Sequence, residues 1–201
     1  MSKGLSKGFV MLDGVFDKTA ELLTKAWGYS TVIGWYNERS APNELNVLVR
    51  FADAASVAFK EATAFYEVMI DGGRIDLLIV SPDVILVAEG KTTFHSAAKS
   101  LITSLNSQID RIHGENGGIR ALMDEKILSY CKERWGLQSL PPIYVVALSW
   151  CNAGGLSLWG SHEHWSSSLS RFVSGSKIFK FNGDDHYFLF KYQRSNGIAW
   201  V

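Results

Sequence analysis

Two periods of hydrophobicity divide the chain, and the change from one to the other falls near residue 64. Residues 14–28 (GVFDKTAELLTKAWG) bring Phe16, Leu22, Leu23 and Trp27 to one face at helical spacing. A turn-rich stretch, NERSAPNE, separates this helix from ELNVLVRFADAASVAFKEA, for which Asn43 is a candidate N-cap. Leu45, Leu48, Val49, Ala52 and Ala55 supply the expected apolar positions of that second helix. Short apolar runs then take over: AFYEVMI, a turn at Asp71-Gly72-Gly73, RIDLLIV, a turn at Ser81-Pro82-Asp83, and VILVAEGKTTF. The last two runs are apolar at odd and even positions alike, which predicts strands covered on both faces of a sheet.

The helical period returns over 96–112, breaks at the glycines of 114–118 and resumes over 119–135. Pro141-Pro142 introduces a further buried strand, IYVVALSW; a loop of Gly, Ser and Trp follows. A helix over 165–173 and a hairpin made of KIFKF and HYFLFKY close the chain. Helix, three strands, helix, strand, helix predicts an α/β architecture, a mixed β-sheet flanked by helices. The 201 residues suit a single domain, with a core over about 40–150, an N-terminal helix and a C-terminal hairpin extension.

Candidate chemistry lies in the hairpin around Pro82-Asp83. A four-residue connection built on a type I turn makes positions face each other when their numbers sum to 165, so Asp76 faces Glu89. Two carboxylates directly opposite destabilise a sheet, and the apolar neighbours Ile75, Leu77, Leu78, Val87 and Ala88 raise the cost. A cation between the two groups removes that cost, and hard oxygen ligands favour magnesium or manganese. Lys91, two residues beyond Glu89, is expected on the same face of the strand. There it is placed to orient an attacking water or to stabilise charge on a phosphoryl group.

Composition narrows the field. Twenty basic and twenty acidic side chains cancel, so a broadly basic nucleic-acid-binding surface is not expected. The charges are uneven: residues 31–90 carry four basic and nine acidic side chains, residues 91–201 twelve and eight. No apolar run approaches the ~20 residues of a membrane helix, and the N-terminal stretch lacks the apolar segment of a secretory signal. Cys131 and Cys151 match no zinc spacing and read as free thiols, so a cytoplasmic protein is expected. His162-Glu163-His164 lacks the i, i+4 spacing of a helical zinc site, and no G-x-x-x-x-G-K-[ST] loop is present.

The pattern RID76, twelve residues, then E89-G-K91 resembles the PD-(D/E)XK motif of the restriction-endonuclease-like nuclease superfamily. The order of elements over roughly 40–150 is similar too, although Ile75 stands where the motif often has proline. The resemblance implies a restriction-endonuclease-like core in which Asp76, Glu89 and the Gly90 carbonyl hold magnesium, with manganese as substitute, and Lys91 is the catalytic lysine. It also implies an accessory glutamate on the helix before the strands. Glu44 matches that place best and Glu67 second, while acidic residues also suit any helix start. Gln108, opening QIDRI, matches a glutamine of the following helix, with Ile112 replacing the usual tyrosine.

The activity implied is metal-dependent hydrolysis of nucleic-acid phosphodiesters by a DNA endonuclease. Lys99 and Arg111, with Lys177, Lys180 and Lys191, are candidate backbone contacts. A neutral chain suits a homodimer or delivery by a partner subunit. The alternative is the same fold kept as a catalytically inactive module for nucleic-acid or protein binding.

Overall fold

The computed structural model describes residues 7–28, 42–70, 73–91, 98–113, 126–165 and 172–195. Helix α1 (Lys7–Trp27) begins earlier than its apolar pattern suggests and buries Leu12, Val15, Phe16, Ala20 and Leu23. Helix α2 (Glu44–Ala58) starts at Asn43, whose side-chain oxygen accepts from the Asn46 N–H at 2.8 Å. The Asn46 side chain accepts from the Asn43 N–H in return, so two otherwise orphaned donors are satisfied reciprocally. The buried stripe of α2 is Val47, Leu48, Phe51, Ala52, Ala54 and Ala55. Leu45 is instead 53% exposed, because a stripe running through 47, 51 and 54 leaves position 45 on the flank.

Three antiparallel strands follow: β1 (Thr63–Ile70), β2 (Gly73–Val80) and β3 (Ile85–Gly90). Helices α3 (Ala98–His113) and α4 (Leu128–Trp135) precede β4 (Ile143–Cys151), which lies parallel to β3. Helix α5 (Ala153–Gly160) and a 3-10 turn (His162–His164) lead to the hairpin of β5 (Val173–Phe181) and β6 (Asp184–Arg194). The six strands form one mixed sheet in the order β1-β2-β3-β4-β6-β5.

Both faces of the central strands are covered, as their unbroken apolar runs predict. Leu77, Ile79, Leu86 and Ala88 join the core formed with α1 and α2. Leu78, Val80, Ile85 and Val87 join a second core with Ile102, Leu105 and Ile109 of α3, Cys131 of α4 and Trp159 of α5. In the first core Phe16 stacks on Phe190, ring centroids 3.8 Å apart, and the Trp150 indole N–H donates to the Pro42 carbonyl just before α2.

Two segments differ from expectation. Residues 153–160 form α5 where a loop was expected, because packing overrides glycine's poor helix propensity. Trp159 is 2% exposed and its indole donates to the Phe190 carbonyl. Gly155 lies so close to Cys151 that an added Cβ would stand 2.8 Å from the cysteine Cβ. The helix expected over 165–173 is not seen at its ends: Trp165 follows the 3-10 turn, and Val173 pairs with Tyr192 as the start of β5. Residues 166–171 lie outside the described residues, as do 114–125. Among the described residues no helix is long and apolar enough to cross a membrane.

Candidate active site

Ser81 sets the register of the β2–β3 hairpin. Its hydroxyl accepts from the Val84 N–H and donates to the Val84 carbonyl, both at 3.0 Å, while its own N–H bonds the same carbonyl. This four-residue link keeps the expected pairing at Val80↔Ile85, Ile79↔Leu86, Leu78↔Val87 and Leu77↔Ala88. Backbone pairing stops there, and the next step is made by side chains. The Asp76 N–H donates to Glu89 Oε1 at 3.4 Å, and the Gly90 N–H donates to Asp76 Oδ2 at 3.1 Å. Each carboxylate thus takes up the role of a backbone carbonyl where the ladder ends.

Burial makes the pair costly. Asp76 is 6% exposed and Glu89 1%. Burial above all, then the neighbouring Asp76 carboxylate, pushes the Glu89 carboxyl up to about 9, against a smaller opposing pull from the Asp76 N–H and Lys91. Glu89 is therefore protonated at neutral pH without a cation. Its Oε2 has no hydrogen-bond partner among the described residues although fully enclosed. An orphaned buried oxygen beside a second carboxylate fits a hard divalent cation, which would satisfy the oxygen and displace the proton. No group of three or more His, Cys, Asp or Glu side chains among the described residues stands ready to hold a metal ion.

Lys91 departs from the expected placement. Strand β3 ends at Gly90, so alternation no longer governs residue 91, and the Lys91 ammonium turns to α2. It donates to both carboxylate oxygens of Glu44, at 2.9 and 3.0 Å. Gly90 permits this approach: a Cβ there would lie 3.1 Å from both Glu44 Cγ and Leu48 Cγ. Gly90 therefore presents its bare face to α2. The side chain of Glu89 projects from the opposite face of the strand. The structure thus brings Glu44 to Lys91, and Asp76 to Glu89 and Gly90, as two adjoining clusters.

Of these residues, Glu44 and Asp76 line a cavity of about 290 Å³, together with Asn43, Leu45, Leu48, Glu67 and Arg74. Asp76 reaches it because β2 turns over at this residue. Ile75 packs with the α3-side core and Leu77 with the α2-side core, positions that share a face in a regular strand. The β1–β2 ladder skips the same step, and Glu67, across from Asp76, has a left-handed backbone with φ 53°. The Glu67 carboxylate meets Arg74 at 3.0 Å, and the other arm of the guanidinium stands 3.9 Å from Asp76. Both candidate accessory glutamates therefore line the cavity. Arg74 is the residue the sequence reading missed, although its position two before Asp76 was a usable signal.

The remaining candidates lie apart from these clusters or outside the description. Gln108 is half-buried on α3 with its Oε1 unpartnered among the described residues. The side chains of Lys99 and Arg111 lie outside the described residues, as does His95. Lys177 is held by Asp13 and Asp17, and Lys180 by Asp185. Lys191 is not a surface contact: it is 0% exposed, its ammonium lies 4.0 Å over the Trp165 ring, and among the described residues no hydrogen bond reaches it. It is buried because the inner strand β6, paired on both sides, points it into the α3-side layer. His162 to His164 form the short 3-10 turn, whose His164 carbonyl accepts from Asn106.

No protein-family model and no curated protein sequence matches this chain.

Proposed function

We propose that the protein is a magnesium-dependent nuclease with a restriction-endonuclease-like core, hydrolysing phosphodiester bonds of DNA. The observation that carries the proposal is the buried Glu89 Oε2 beside Asp76, without a hydrogen-bond partner among the described residues. Folding confines two carboxylates at the end of a hairpin and leaves an oxygen without a partner among the described residues, an arrangement whose cost a divalent cation would offset. The strand order, with β3 parallel to β4 across a helical crossover, is consistent with the resemblance in the RID76 and E89-G-K91 segments.

In this proposal Asp76 and Glu89, with the Gly90 carbonyl, hold magnesium, and manganese serves as substitute. When bound, the cation supplies Lewis acidity toward a phosphate oxygen and lowers the pKa of a water. Glu89 would give up its proton to hold such a cation. Glu44 holds the Lys91 ammonium through both carboxylate oxygens, and Lys91 orients the attacking water and neutralises charge building on the phosphate. Leu45 and Leu48 supply the apolar wall that limits water around these groups. A homodimer or a partner subunit belongs to the same proposal, because a chain of zero net charge lacks a broad basic surface for DNA.

Calorimetric titration of manganese into wild type and Asp76→Ala, paired with plasmid cleavage by both, tests this reading. Metal binding and metal-dependent cutting by wild type alone are the expected result. Absence of metal binding to wild type would overturn it.

A further inference from the structure

Among the described residues that line the cavity, Arg74 is the one basic side chain, against three carboxylates from Glu44, Glu67 and Asp76. Lys91 neutralises Glu44, which leaves Arg74 to face the other two. Its two contacts are unequal. The Nη1 pairing with Glu67 is short, 3.0 Å, whereas Nη2 stands 3.9 Å from Asp76, beyond hydrogen-bond distance. The side chain of Arg74 is 49% exposed while that of Asp76 is 6%. The guanidinium is therefore anchored on its outer partner and only loosely held by the inner one.

From this geometry we infer that Arg74 is a phosphate-binding residue, contacting a phosphate of the nucleic-acid strand that enters the cavity. The inference rests on the nuclease reading and adds to it the group that grips the substrate. A cation held by Asp76 would repel the loosely held Nη2 arm, while Glu67 keeps the guanidinium at the mouth of the cavity. The freed N–H groups then match the oxygens of a phosphodiester, the planar geometry at which arginine exceeds lysine. The left-handed backbone at Glu67 has a role in this arrangement: it interrupts the β1–β2 ladder opposite Asp76, where the Glu67 side chain holds Arg74. Glu67 is thus a positioning residue for Arg74, distinct from Glu44, which positions Lys91.

The test compares wild type with Arg74→Ala, Arg74→Lys and Glu67→Gln in two measurements: manganese titration by calorimetry, and steady-state cleavage of a duplex oligonucleotide. Arg74→Ala should raise KM about tenfold, the loss of one charge-assisted contact, with kcat within about threefold of wild type. Its manganese affinity should equal or exceed that of wild type, since a competing cation is gone. Arg74→Lys should recover part of the KM, and Glu67→Gln should raise KM by less than Arg74→Ala. A merely structural ion pair would instead weaken metal binding and lower kcat in step. That outcome, or an unchanged KM in an active Arg74→Ala, overturns the inference and leaves the nuclease reading standing. A wild type that neither binds manganese nor cuts overturns both.

Discussion

Replacing Glu89 with glutamine should make the metal-free protein more stable at neutral pH while removing its affinity for manganese. Glu89 is 1% exposed and its carboxyl is pushed from 4.5 up to about 9, by burial first and then by Asp76. A carboxyl raised in the folded state binds a proton that the unfolded chain has already released between these two values. Stability is therefore fully present below about pH 4.5 and falls as pH rises toward 9. The slope is ~1.4 kcal/mol per pH unit, so at pH 7 the group costs on the order of 3 kcal/mol. Glutamine keeps the shape and an acceptor for the Asp76 N–H but has no such proton. Urea denaturation in EDTA at pH 5, 7 and 8.5 should show Glu89→Gln close to wild type at pH 5. The variant should be more stable at pH 7, by on the order of 3 kcal/mol, with a wider gap at pH 8.5. A variant less stable than wild type at pH 7, or a gap that does not change with pH, would refute the reasoning.

Lys191 titrates with the opposite sign. Burial lowers its ammonium to about 8 from 10.5, so its cost is present below pH 8 and is relieved as pH rises toward 10.5. Lys191→Met should flatten the rise in stability over that window and add ~2 kcal/mol at pH 7 after the Trp165 contact is lost, measured by urea titration. Gly90→Ala puts a Cβ 3.1 Å from Glu44 Cγ and Leu48 Cγ and should cost ~1–3 kcal/mol, visible as a lower denaturation midpoint at unchanged slope. Lys91→Ala should keep manganese binding by calorimetry but lose roughly a hundredfold or more in cleavage; unimpaired cutting would remove Lys91 from the chemistry.

Local chemistry was legible where it alone decides the outcome. The Asn43 cap and the four-residue link at Ser81 depend on neighbours within three residues, and both formed as their sequences indicate. The apolar runs of β2 and β3 likewise announced burial on both faces. The direction of Lys91 was not legible, because it depends on where β3 ends and on how closely α2 approaches Gly90, contacts between residues 47 apart in the chain. Arg74 escaped notice for a related reason: its meaning comes from a cavity that exists only once α2 packs against β2. Helix α5 was hidden by its glycines, whose propensity is outweighed by the seat of Trp159 against β6.

The self-contained turn at Ser81 has a consequence for the order in which the molecule assembles. Asp76 and Glu89 are separated by only 13 positions, and the link between their strands is closed by bonds within four residues. Such low-separation contacts close cheaply and early, whereas the β3–β4 and β4–β6 pairings await long loop closures. In the early hairpin the two carboxylates are still hydrated and their repulsion is small. The penalty arises only when helices from both sides shut the layers around them. The chain thus brings its acidic pair together while water still shields it, and it is the final docking of helices that raises the Glu89 carboxyl.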